Sequence, residues 1–195
     1  MRYEGRKPVV TLWLFCEGDD ELAYFDDIRC SERIGRLRIC PRLEGHTDAS
    51  GLLDAAKRFM KKDSGYMHGD HVACVFDRNS NTETRLNNVG LSSKKYGIMP
   101  VFLNPCFEYW ILCNYEQYLN RCELDDVIKR IKSHVPRYRK GMKSLYATIN
   151  RNRTNAIANA KKALKLHESK PHIVSRESNP VTLVHEVIKF IERLR

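Results

Sequence analysis

Two carboxylates that end apolar runs carry the clearest chemical promise in this chain. In "VVTLWLFCEGDDE" a run rich in β-branched and aromatic residues stops at Glu17; in "CVFDRNSN" a second run stops at Asp77, with Asn79 two places on. Runs of this kind read as buried strands. In a parallel sheet all carboxyl ends lie on one edge, and open α/β proteins bind their ligands there. If the two strands are neighbours, Glu17 and Asp77 can share a divalent cation, and Mg²⁺ or Mn²⁺ held through oxygen ligands and water offsets their mutual repulsion. A cation so placed polarises a phosphoryl oxygen and lowers the pKa of a bound water, a route to phosphodiester cleavage at neutral pH. Either acid can equally serve as a helix cap or a dipole-facing carboxylate.

The elements that must position these groups follow from hydrophobic period. Pro8 precedes a strand over 9–16. A helix over 20–33 turns Leu22, Tyr24, Phe25 and Ile28 inward and carries acids in its first turn. Pro41 makes the strand over 37–43 an edge strand. Asp48 or Ser50 caps a helix that runs to 62, a strand over 71–76 ends on Asp77, a weaker helix covers 82–95, and a strand covers 98–103. Asn104-Pro105 reads as an N-cap followed by an N1 proline for a helix through 115, and Asn179-Pro180 reads the same way for a last helix over 180–194. Helices over 123–134, 142–150 and 154–167 lie between. The βαβαβαβα order predicts an α/β fold: a mostly parallel sheet (1–122) flanked by helices, with a basic helical C-terminal extension (123–195) packed on it as one domain.

Composition bounds the function. The 195 residues are 42% hydrophobic and 30% charged, as in a globular chain rather than a disordered one. No apolar run approaches the roughly 18 residues needed to span a bilayer and no secretory signal is evident, so the expected location is cytoplasmic, with no membrane partner. Seven cysteines without a C-x-x-C pair suggest buried reduced thiols, not a zinc or redox motif. Net charge is +10, yet 127–167 holds 12 Lys or Arg and no acid, while the rest of the chain carries 22 basic and 24 acidic residues. One-sign clustering is the footprint of a phosphate-backbone binder, and Tyr138 and Tyr146 could add stacking rings. A solvated basic face, or a dock for an acidic protein, is the plainer alternative. Phe107 and Trp110 read as core, and His46, His68 and His71 have no partner at metal-ligand spacing. No glycine-rich phosphate loop appears, so no nucleotide cofactor is expected in this chain and a nucleotide-binding sensor is disfavoured.

Six segments in order, "LFCEGDDELAYF", "VFDRN", "NPCFEYWIL", "YRKG", "AIANAKK" and "NPVTLVHEVI", resemble the RloB family of bacterial proteins over most of the chain. That family is similar to the Toprim superfamily, which includes type IA and type II topoisomerases, DnaG-type primases and OLD-family nucleases. The resemblance implies a Toprim-like fold and a Mg²⁺- or Mn²⁺-dependent nuclease, a hydrolase of DNA or RNA including tRNA. It would act as an effector of antiviral defence or abortive infection, under an AAA-type ATPase partner encoded nearby.

By the same resemblance Glu17 is the Toprim glutamate, a general acid or base and metal ligand, and Asp77 is the first acid of an Asp-x-Asp pair. Asn79 stands where the second acid belongs; an amide oxygen can ligate Mg²⁺ but brings no charge, which favours an alternative, a catalytically silent module that binds nucleic acid or docks on the ATPase. Asn81 could supply another neutral oxygen. Glu21 and Glu108 are the candidates for additional acids, each with a helix-dipole role as the alternative. Arg137, Tyr138, Arg139, Lys140, Lys143, Arg151, Arg153, Lys161 and Lys162 are the expected nucleic-acid contacts; Lys140 and Lys161 could contact the scissile phosphate or its neighbours, or equally be two of many backbone-contacting lysines. The residues carry no sign of oligomeric state.

Overall fold

Alternation of side chains along the strands builds a sheet with a core on each face. A computed structural model describes residues 10–39, 48–79, 81–142 and 145–194. Strands β1 (Leu12–Cys16), β2 (Leu37–Ile39), β3 (His71–Asp77), β4 (Ile98–Asn104) and β5 (Val181–Thr182) lie in the order β2-β1-β3-β4-β5. All pairs are parallel except β4 with β5. The expected edge position of β2 holds, although Pro41 and His46 lie outside the described residues, as do Val9 and Cys40.

One face packs against α1 (Asp19–Ser31), α4 (Glu108–Cys113), α5 (Leu124–His134), α6 (Leu145–Ile149), α7 (Arg153–Lys165) and α8 (Val184–Arg193). Leu12, Leu14, Ala73, Val75, Val101 and Leu103 point into this larger core, which contains Phe107 and Trp110. The other face, with Phe15, Val72, Cys74, Phe76 and Phe102, is covered by α2 (Ala49–Lys62) and α3 (Glu83–Tyr96). The architecture is a mixed α/β fold with a mostly parallel sheet flanked by helices, consistent with a Toprim-like fold. Cys16, Cys74, Cys106, Cys113 and Cys122 are buried free thiols, and Cys30 is exposed. No helix among the described residues is long and apolar enough to cross a membrane.

Local caps follow the sequence in places. Asp48, not Ser50, caps α2, accepting from the Gly51 amide, and Thr82 caps α3, which ends on Gly97 at φ 67°. The two Asn-Pro pairs behave differently from the expectation. Asn104 closes β4, and α4 starts only at Glu108. Its side-chain amide donates to the carbonyls of Ser175 and Arg176, so it ties the 173–178 loop to the sheet instead of capping a helix. Asn179 likewise clamps Cys122, accepting from its N–H at 3.0 Å and donating to its C=O at 2.8 Å. Pro180 leads into β5, which is hydrogen-bonded to the end of β4, and only then does α8 begin. Both Asn-Pro peptide bonds are cis. The C-terminal segment therefore adds a strand as well as helices.

Because Asn179 is buried and satisfies both main-chain groups of Cys122, Asn179→Ala leaves two buried polar groups without partners. Urea denaturation should show a loss of about 2–4 kcal/mol.

Candidate active site

Asp77, the last residue of β3, continues the parity of Ala73 and Val75 and points to the face of α1 and α4; Arg78 lies beyond the strand and its guanidinium pairs with Glu123, which caps α5. The first turn of α1 brings Asp19, Asp20 and Glu21 to the same sheet edge, and the first residue of α4 brings Glu108. Together Gly18, Asp19, Asp20, Glu21, Asp77, Phe107, Glu108, Lys140 and Gly141 line a cavity of about 250 Å³.

Glu17, expected as a metal ligand, follows the end of β1 at Cys16 and is not among the residues that line the cavity. Its carboxylate is buried and its Oε2 accepts from the Asp77 backbone N–H at 3.1 Å, while its own N–H donates to the Val75 carbonyl. Glu17 thus fixes the main chain at which Asp77 leaves the sheet. The expected neighbouring of the two strands is observed, with Cys16 opposite Val75.

Asn79 does not join this group. The strand has ended at Asp77 and the chain has entered a turn, so the two-residue period that would put 77 and 79 on one side no longer operates. Asn79 is exposed and its Oδ1 accepts from the Arg78 guanidinium. Asn81 is buried, but its Oδ1 takes the Ala49 N–H and its amide donates to the Asp77 carbonyl, so it too is committed elsewhere.

Crowding makes the acids reluctant to ionise. Burial, reinforced by the charges of Glu108, Asp20 and Glu17 and opposed by its own backbone N–H, lifts the Glu21 pKa to about 7. The Glu21 carboxylate lies over the Cα of Gly18, where a Cβ would stand 2.1 Å from Oε2, so any side chain at position 18 evicts it. Asp77 is raised well above the usual carboxylate range, first by burial and then by Glu21, Glu108 and Glu17. Lys140 supplies opposite charge: its Nζ lies 3.0 Å from Glu108 Oε1. Burial pulls the lysine pKa down, but Glu108 and the groups beyond it outweigh this and raise it.

These residues suit a hard cation by donor chemistry. Asp77 Oδ1 and Glu108 Oε2 are buried oxygens without a hydrogen-bond partner, which is costly unless something positive completes them. No three His, Cys, Asp or Glu among the described residues converge on one point. The arrangement therefore fits Mg²⁺ or Mn²⁺ bound through Asp77 and Glu108 with water or substrate oxygens for the remaining positions, a mode these ions commonly use.

Of the basic block, Lys140 alone among the described residues lines the cavity. Arg137 and Arg139 are exposed beside it in the chain, and Arg151 is exposed further on. Tyr138 and Tyr146, expected as stacking rings, are buried in the larger core and present no face to a base. Arg153 pairs with Glu32 and with the Tyr146 hydroxyl. Glu32 follows the far end of the 13-residue α1, roughly 20 Å from the acids. Lys162 donates to Gln117, and Lys161 faces His185 and Glu186 of α8. Lys143 lies outside the described residues. The sequence reading missed Asp20 and Gly141: the Gly141 N–H donates to Asp20 Oδ1 at 2.9 Å and docks the 138–141 loop on the acids. The "DDE" triplet and the glycine of "YRKG" were the available signals.

The raised Glu21 pKa has a sign that can be checked. Native Glu21 holds its proton up to about pH 7, whereas the unfolded residue loses it near 4.3, so this group's contribution to stability falls as pH rises from 4.3 to 7. In chelator, Glu21→Gln should be more stable than the parent at pH 8 by about 1–3 kcal/mol, with the difference shrinking toward pH 4.5, as read from denaturant unfolding at both ends.

No curated protein and no solved structure matches this chain. The family model described as RloB-like protein matches residues 12–191, nearly the whole length and including every acid of the cavity, and the chain therefore belongs to the RloB-like family.

Proposed function

We propose that the protein is a Mg²⁺- or Mn²⁺-dependent nuclease that hydrolyses phosphodiester bonds of DNA or RNA, tRNA included. The observation that carries this reading is the convergence of Glu21, Asp77 and Glu108 from three separate elements on one cavity at the carboxyl edge of the sheet, with buried oxygens of Asp77 and Glu108 left unpartnered. A divalent cation held there supplies Lewis-acid polarisation of the phosphoryl oxygen and a water of lowered pKa. The chain's own groups do the rest. Asp77 and Glu108 offer the ligand oxygens, and Glu17 fixes the strand exit that aims Asp77. Glu21, whose pKa burial and the neighbouring acids raise to about 7 before any cation is bound, is the chain's candidate general acid or base. Exposed Arg137 and Arg139 precede Lys140 and offer positive charge to the nucleic-acid backbone.

The family resemblance extends the proposal to cytoplasmic antiphage defence, with the activity held or released by an AAA-type ATPase partner. A second reading, a silent module that binds nucleic acid or docks on that ATPase, draws on one observation: Asn79 faces Arg78 rather than the cavity, so no acid stands at the second position of the Asp-x-Asp pattern.

Incubation with plasmid DNA and total RNA, with and without Mn²⁺ and with the neighbouring ATPase added, separates the two. Metal-dependent cleavage should fall on the order of 10²–10⁴-fold in Asp77→Asn and Glu108→Gln; binding without cleavage under all these conditions would leave the silent module. Arg137→Ala and Arg139→Ala should weaken oligonucleotide binding and flatten its salt dependence by about one unit of slope for each phosphate no longer neutralised. Arg153→Ala should instead lower the melting temperature, because its guanidinium is spent on Glu32 and Tyr146.

A further inference from the structure

Among the described residues, five acids and a single base line the cavity: Asp19, Asp20, Glu21, Asp77 and Glu108 face Lys140. Lys140 is delivered there by a short loop pinned on both sides. The Tyr138 ring is buried in the larger core, and the Gly141 N–H, with Gly141 at φ 69°, donates to Asp20 Oδ1. Between these anchors the lysine side chain is 55% exposed while its ammonium meets a carboxylate only 2% exposed. The pair is unlike a structural salt bridge, in which both charges are held and each oxygen is satisfied. Here Glu108 Oε2 keeps no hydrogen-bond partner, and the lysine keeps a stem free to turn outward.

We propose that Lys140 is an exchangeable counter-ion: its ammonium and a divalent cation compete for Glu108, and cation binding turns the ammonium toward the incoming phosphodiester. This rests on the reading that the cavity takes Mg²⁺ or Mn²⁺. The competition follows from charge and reach. An ammonium is a compact point charge with three donors, suited to hold one carboxylate oxygen but not to bridge two carboxylates as a divalent ion does. Once a dication lies against Glu108, two positive centres a few ångströms apart repel, and the half-exposed stem provides the way out. A phosphate oxygen is then the anion that its ammonium meets at the mouth of the cavity. One residue would thereby neutralise the acids before loading and contact the substrate after it.

Calorimetric titration of the full chain with Mn²⁺, without nucleic acid, tests the first half. Lys140→Gln and Lys140→Met should bind Mn²⁺ about tenfold more tightly than the parent, and Lys140→Arg, which keeps the charge, should stay near it. At saturating Ca²⁺, the two neutral variants should bind a short single-stranded oligonucleotide several-fold more weakly than the parent. Equal or weaker Mn²⁺ binding by both neutral variants would overturn the counter-ion role and leave the metal-dependent reading standing. Absence of Mn²⁺ binding in the parent and in every variant would overturn both. Tighter Mn²⁺ binding with unchanged oligonucleotide affinity would overturn the hand-over to phosphate.

Discussion

Gathering carboxylates at one edge of a sheet is electrostatically unfavourable, and much of the surrounding structure answers that constraint. Like charges in a partly buried cavity repel far more strongly than in water. Several devices offset the repulsion. Glu17 and Asp20 each accept a backbone N–H, from Asp77 and Gly141. Lys140 neutralises Glu108. Glu21 and Asp77 hold their protons to higher pH than free carboxyls do.

Such crowding can persist only on a rigid frame. The acids come from the end of β3 and from the first turns of α1 and α4, whose inward faces share one core through Tyr24, Phe25, Phe107 and Trp110. That core continues through α5 to α8, so the C-terminal helices stiffen the elements that bear the acids. The two buried asparagines add fixed points where helices alone would leave slack. Asn104 ties β4 to the 173–178 loop, and Asn179 ties the approach to β5 to Cys122. Both work through the main chain, where a broken hydrogen bond is expensive because no water replaces it.

Positive charge is distributed more selectively than the block over 127–167 suggests. The 138–141 loop carries its lysine into the cavity, and the exposed Arg137 and Arg139 just before that lysine extend the positive surface outward. Arg153 and Tyr146 belong to the packing of α6 and α7 on α1, while Tyr138 anchors the 138–141 loop in the larger core. A cluster counted along the chain thus divides into a part that faces the acids and a part that holds the helices together.

The strand and helix order, the parallel character of the sheet and the candidacy of Asp77, Glu21 and Glu108 were legible in the sequence. Each rests on period, on first-turn acids or on where an apolar run stops, and these are local properties. The family was legible too, from six motifs in order. The placement of Glu17 and Asn79 was not. Where a side chain goes at a strand exit depends on where the strand ends, and that is set by pairing with distant segments. The Asn-Pro pairs misled for the same reason. Asn-Pro suits a helix start, but Asn104 and Asn179 found partners about 70 and 57 residues away in sequence, and tertiary hydrogen bonds outweighed the local cap. Composition determined that this chain carries excess positive charge and a few well-placed acids. Only the tertiary structure decided which lysine meets which carboxylate, because that pairing needs loop 138–141 and α4 to be brought together across a core that neither segment encodes alone.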